Sequence, residues 1–173
     1  MKHTKIKITT LFIFALLLVT GCEDNTGTPE SATISGTITF TGYWPNNGNI
    51  SISAMEIWNF MDPEYTGIPS GYQLILENQV SVMNGDTSTF DYTISNLPFS
   101  VFNGIAVSWT NPDTNYNSSC NQSVLGGYGD SVSYPFMTLD SVVTSTTNYE
   151  LAGLDINANL NYAIPNPMTM CQP

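Results

Sequence analysis

Thr33-Ile34-Ser35-Gly36-Thr37-Ile38-Thr39-Phe40-Thr41 sets Ile34, Gly36, Ile38 and Phe40 on one side of an extended chain and Ser35, Thr37 and Thr39 on the other. A period of two is what a strand with one buried face requires. The alternation returns at 49–58 through Ile50, Ile52 and Ala54, and at 89–95 through Phe90, Tyr92 and Ile94. It returns again at 103–110, with Ile105, Val107 and Trp109 on one face and Ala106 and Ser108 on the other. Thr, Ser, Ile, Val, Tyr and Phe dominate from residue 33 onward, and no stretch of helical length carries a 3.6-residue period. Tyr43-Trp44-Pro45-Asn46-Asn47-Gly48 reads as a loop or hairpin connection joining two neighbouring strands. Residues 59–71, with Pro63, Gly67, Pro69 and Gly71, form a connector, 72–83 one strand and Asn84-Gly85-Asp86 a turn. Residues 111–128 read as irregular. Two or three more strands fall within 132–162, the last at 151–162 burying Leu154, Ile156, Ala158 and Leu160. Pro165 and Pro167 bar the tail from a central strand. About seven short strands separated by turn signals predict an all-β fold, a single two-sheet β-sandwich over 33–173.

Two of these stretches carry a family resemblance. Ile34-Ser35-Gly36-Thr37-Ile38-Thr39-Phe40 with Gly42 after it, and Phe90-Asp91-Tyr92-Thr93-Ile94-Ser95-Asn96-Leu97-Pro98 leading to Ile105-Ala106-Val107, resemble the carboxypeptidase regulatory-like, prealbumin-like sandwich, which shares the Ig-like two-sheet plan. That family opens on a strand of the type I-x-G-x-V and later carries Y-x-I-x-x-L-P-x-G-x-Y. Tyr92, Ile94, Leu97 and Pro98 match the second pattern, whereas Ser100 and Phe102 stand where it has Gly and Tyr. The resemblance implies a binding or structural module and not a catalyst.

The N-terminus has its own logic. Lys2, Lys5 and Lys7 precede nine continuous apolar residues, 11–19, and then the small residues Thr20 and Gly21. Nine residues fall well short of the roughly 20 needed to span a bilayer core of about 30 Å, so residues 1–21 read as a secretory signal peptide and not as an anchor. Val19-Thr20-Gly21-Cys22 resembles the bacterial lipobox at all four positions. That implies a diacylglyceryl group on the Cys22 sulfur, cleavage before Cys22 and, usually, acylation of the new N-terminus. Two or three chains are needed because one myristoyl-sized chain binds reversibly, at about 0.8 kcal/mol per buried methylene. Residues 22–32 then form the lipidated cysteine and a polar tether with Gly27 and Pro29. The expected location is the cell envelope, held at the outer membrane. Glu23 and Asp24 resemble sorting signals of two opposed kinds, inner-membrane retention and surface export, and leave the leaflet open.

Beyond residue 21 the chain contains no Lys, Arg or His, and all fourteen acids remain. The whole chain has a formal charge of −11; without residues 1–21 the side chains sum to −14. Phosphate binding through basic side chains is unavailable to such a domain, which excludes nucleic acid as a partner. Ser-His-Asp and Cys-His catalysis require an imidazole and Schiff-base chemistry a lysine, so those mechanisms are excluded too. No salt bridge between side chains can form, and each carboxylate must be solvated, protonated, hydrogen-bonded or bound to a metal. Cys120 and Cys171 remain after lipidation, too few for a structural zinc site. In an oxidising compartment they form either a disulfide closing about 50 residues, worth about 4 kcal/mol in the chain-entropy model, or two free thiols.

Asn111, Asp113, Asn115 and Asn117 place side-chain oxygens at every second residue, a spacing found in calcium loops, and Asp130 offers a fifth ligand. The loop lacks the turn glycine and the bidentate Glu, and Asn and Asp are also ordinary surface-loop residues. No other cofactor is expected. Gly129-Asp130-Ser131 resembles a hydrolase nucleophile block that works only with a histidine, and Asp62 with Glu64 is the most compact carboxylate pair for glycoside hydrolysis. Pro63 lies between the two acids in a loop, which favours solvated surface charges. Of the tryptophans, Trp109 has core parity, while Trp44, in a loop before Pro45, is the candidate ligand-binding ring or else a plug at the sandwich end. A glycan or an envelope protein is the partner class these features allow, besides the membrane itself.

Overall fold

The computed structural model describes residues 27–59, 62–82, 87–112, 121–130 and 139–163. In chain order the strands are β1 (Ala32–Thr41), β2 (Asn49–Met55), β3 (Gly71–Ile75), β4 (Ser81–Val82), β5 (Thr87–Leu97), β6 (Val101–Phe102), β7 (Gly104–Thr110), β8 (Gln122–Gly127), β9 (Val142–Val143), β10 (Glu150–Leu151) and β11 (Ile156–Asn159). One sheet runs β10-β1-β5-β4, with β11 also on β1; the other runs β3-β2-β7-β8; β6 and β9 form a separate pair. The chain is thus all-β, two main sheets face each other, and the fold is a β-sandwich.

The alternation read from residues 33–41 is realised in β1. Ile34, Ile38 and Phe40 are fully buried and meet Phe90, Tyr92 and Ile94 of antiparallel β5 on the same face. Ile50, Ile52 and Ala54 of β2 with Ile105, Val107 and Trp109 of β7 close the core from the opposite sheet. Each such aliphatic or aromatic side chain contributes about 1.5–3 kcal/mol by leaving water. Leu154, Ile156, Ala158 and Leu160 are all buried, but the strand read over 151–162 is not continuous: β10 ends at Leu151, β11 covers only Ile156–Asn159, and Leu160–Tyr162 is a 3₁₀ turn.

Three other expectations are corrected. β1 and β2 are not neighbours: they lie in different sheets. Residues 42–48, with Gly42 and Gly48 at φ 88° and 82°, carry the chain over the end of the sandwich from one sheet to the other. Nor is 72–83 one strand. After β3 the backbone turns through a short 3₁₀ segment, Glu77–Gln79, held by the Leu76 amide donating to Gln79 Oε1 at 2.9 Å, and crosses to join β5 as β4. The strand Gln122–Gly127 also lies inside the stretch read as irregular.

Gly36 and Tyr92 meet at one carbonyl, that of Leu154. Between β10 and β11, both parallel to β1, the chain arches over Gly36, and a Cβ there would lie 2.6 Å from Leu154 C and 3.0 Å from Leu154 N. Tyr92 Oη donates to Leu154 O at 2.7 Å, and Leu154 N donates to Ser35 O at 3.1 Å. The next residue, Asp155, accepts Thr37 N through Oδ1 at 2.9 Å, and Asp91 Oδ1 accepts Thr37 Oγ1 at 2.8 Å. These two carboxylates are thus held by a backbone amide and a hydroxyl rather than by a cation.

Candidate functional site

Strand direction decides which loops can meet. β1 ends at Thr41 opposite Asn159 and Thr87, β2 begins at Asn49 opposite Thr110, and Thr110 pairs with Gln122. The 42–48 loop, the end of β7, the start of β8 and the 159–163 segment therefore share one end of the sandwich. Trp44 is half-buried there, its ring edge-on to Phe40 at 5.6 Å and 71°. Part of the ring closes the core, as a plug does. Tyr43 beside it is 81% exposed, an aromatic ring with most of its surface in water. Trp109 is buried, with its Nε1 donating to Asn47 O at 2.8 Å, so the loop is pinned from inside by an indole of core parity.

Amides dominate this end. Asn111 is buried and its backbone N–H donates to Asn121 O at 2.6 Å. Asn121 Oδ1 is buried and accepts no hydrogen bond among the described residues. Asn161 places its side-chain amide against Gly42, while its own N–H donates to Asn159 Oδ1 at 3.0 Å. Neutral carbonyl oxygens and aromatic rings suit a hydroxyl-rich neutral ligand or a hard cation. They offer no group able to take a proton near neutral pH.

Asp130 does not join Asn111. β8 runs away from the Asn111 end, and Asp130 lies past its far end, its N–H donating to Gly127 O at 3.1 Å. Asp113, Asn115 and Asn117 lie outside the described residues, as do Cys22, Cys120, Cys171 and Ser131. Among the described residues no three His, Cys, Asp or Glu side chains gather as metal ligands.

The opposite end holds the acids that suggested other chemistry. Asp62 Oδ1 accepts Glu64 N at 2.9 Å, so this carboxylate caps its own turn. Glu56, missed in the sequence because nothing local marks it, clips three segments together. Its Oε1 and Oε2 accept Ser70 Oγ and Ser100 Oγ, each at 2.9 Å, and its carbonyl accepts Asn103 Nδ2 at 2.7 Å. Both carboxylate oxygens are thereby satisfied by hydroxyls on separate loops. Among the described residues no helix is long and apolar enough to cross a membrane.

Compared with protein-family models, with curated proteins and with solved structures, the chain matches none of them.

Proposed function

We propose that this chain is a lipid-anchored cell-envelope protein whose β-sandwich serves as a non-catalytic binding or structural module, related to the carboxypeptidase regulatory-like domains. The observation that carries the reading is Val19-Thr20-Gly21-Cys22 directly after an apolar run too short to span. The lack of any Lys, Arg or His after residue 7 supports it from the side of chemistry, by removing the common nucleophile–base pairs. The convergence of Gly36 and Tyr92 on Leu154 O supports the family link, since it gives both motif positions one shared task. The test is an intact mass from the membrane fraction of the native host together with a detergent phase split. The expected mass corresponds to residues 22–173 plus two or three acyl chains, and Cys22→Ala is expected to shift the protein into the aqueous phase. A native chain still starting at Met1, or one that partitions into water without the substitution, overturns the proposal.

Asn121 Oδ1, buried and without a partner among the described residues, favours one further form of this reading, a calcium-dependent or carbohydrate-binding accessory module working from the Trp44 end. A carbonyl oxygen without a donor beside Asn111 is a position a cation satisfies. Thermal melts in chelator, in about 0.5 M salt and in millimolar calcium separate this site from general screening. With fourteen carboxylates and no cations after residue 7, salt alone is expected to raise the melting temperature through weakened self-repulsion. Specific binding adds a further gain, about 2.7 kcal/mol at a hundredfold excess over Kd. A calcium curve that coincides with one at matched ionic strength removes calcium from the reading, and a glycan array run with and without calcium then tests Trp44 and Tyr43.

A further inference from the structure

Asparagine precedes glycine at three places, Asn47-Gly48, Asn84-Gly85 and Asn103-Gly104, and the second lies outside the described residues. In such a pair the glycine nitrogen, unshielded by any side chain, can close on the asparagine Cγ. The fold treats the two described pairs differently. Asn103 is held at both ends of its amide, Nδ2 donating to Glu56 O at 2.7 Å and Oδ1 accepting Ser141 Oγ at 2.9 Å. Gly104 after it is buried and paired with Met55 in the β2–β7 ladder. Asn47 is exposed in the 42–48 loop, and its side chain makes no hydrogen bond to the other described residues. The bond it does make runs through its main-chain carbonyl, where Trp109 Nε1 donates to Asn47 O at 2.8 Å.

We propose that Asn47-Gly48 is a modification site at which the chain converts its own asparagine to isoaspartate, with water as the co-reactant and the Trp109 indole as the group that promotes and directs the change. Gly48 N gives its proton to a solvent base and attacks Asn47 Cγ. The N–Cγ bond forms, the Cγ–Nδ2 bond breaks, and the amide nitrogen takes up a proton and leaves as ammonia. Water then opens the five-membered imide. Attack at the main-chain carbonyl carbon breaks its bond to Gly48 N and frees that carbonyl as a carboxylate. Gly48 stays linked through Cγ, and that product is isoaspartate.

Asn47 O takes part at each stage without being consumed. Peptide resonance spreads the charge of the ionised Gly48 nitrogen onto this oxygen, where the indole N–H stabilises it. The same donor polarises the carbonyl carbon that water attacks in the second stage, and it then holds the new carboxylate. The bond is partly buried, which strengthens it relative to one in water. Gly48 has φ 82°, and a Cβ there would lie 2.6 Å from Thr110 O, so the loop itself requires the residue that least hinders ring closure. Residues 42–49 carry no acid, and the product places a carboxylate in the loop that holds Tyr43 and Trp44.

The test follows the folded full chain in mildly alkaline buffer by peptide mass, with cleavage after aromatic residues because no Lys or Arg follows residue 7. Asn103 has two hydrogen bonds to break before it reacts, so Asn47 is expected to lose its amide at least about tenfold faster. Isoaspartate, read by isoaspartyl-specific methylation, is expected as the main product. In denaturant the two sites, each followed by glycine, are expected to react at similar rates. Trp109→Phe is expected to slow Asn47 by about tenfold, the effect of losing one hydrogen bond to a developing charge. Equal rates in the folded chain, a preference for Asn47 that persists in denaturant, or aspartate as the main product overturns the proposal. So does an unslowed Asn47 in a Trp109→Phe variant that keeps its circular dichroism. If that variant unfolds, the folded and denatured rates of the parent chain decide between the same outcomes.

Discussion

Gly126→Ala is expected to destabilise the sandwich by about 3 kcal/mol, the upper end of the range for overpacking. A Cβ built on Gly126 would lie 2.9 Å from Asn157 C and 3.0 Å from Ala158 Cα, with Asn157 O nearer still. These are backbone atoms of β11, in the opposite sheet, so no side-chain rotation relieves the clash. The two strands would have to move apart, loosening Leu125 and Ile156 in the core beside them. A loss of that size corresponds to a fall of about 10 °C in melting temperature for a domain of this length. Gly27→Ala is the control, since nothing lies within 4 Å of a Cβ there. If the two variants melt together, β8 and β11 do not approach as described.

The same contact explains why β8 was hidden in the sequence. Gln122–Gly127 carries two adjacent glycines, and the β7–β8 register shifts between Val107 and Ser108, so Leu125 and Gly126 do not alternate with their neighbours. Paired glycines read as a loop because the reasons for them are distant in sequence: β11 of the other sheet against Gly126, and the Leu139 side chain against Gly127. β1 and β5 were legible, by contrast, because their burial follows simple alternation and their partners are long and regular. Alternation shows that a strand has a buried face but not which sheet that face belongs to, so it does not reveal that β1 and β2 lie in different sheets. Ala106 falls by parity on the face opposite Ile105, Val107 and Trp109. It is buried because Trp58 lies against neighbouring Gly104 and Leu139 against Gly127, both of them side chains brought in by distant segments.

The candidate site was legible to a similar degree. Trp109 followed its parity into the core, and Trp44 lies at a sandwich end in its loop. The grouping of Asp130 with Asn111 failed because it depended on β8, whose existence and direction set the two residues at opposite ends. The Glu56 clip depends on Ser70 and Ser100, 14 and 44 residues away, and no local pattern announces it.

Tyr92 is where burial, hydrogen bonding and pH meet most sharply. Its ring lies in the core, and Tyr92→Ala is expected to cost about 3–5 kcal/mol through the cavity it leaves. Tyr92→Phe keeps the ring and removes only the donor to Leu154 O, leaving a carbonyl short of its bond at a cost of about 1–3 kcal/mol. The two variants also differ from the parent in alkali. Burial first, then the negative charges of Asp155 and of an ionised Tyr128, hold the Tyr92 phenol well above its ordinary value of 10.0. A group raised in the folded state binds its proton more tightly there than in the unfolded chain. Its contribution is therefore complete below about pH 10 and declines as pH rises toward the folded value. Denaturant titrations of the parent chain are expected to show stability falling above about pH 10, with a shallower fall in Tyr92→Phe, so that the gap between them narrows in alkali. Parallel curves from about pH 9 to about pH 12 would mean that Tyr92 ionises as freely in the fold as outside it, and that Leu154 O is not its partner.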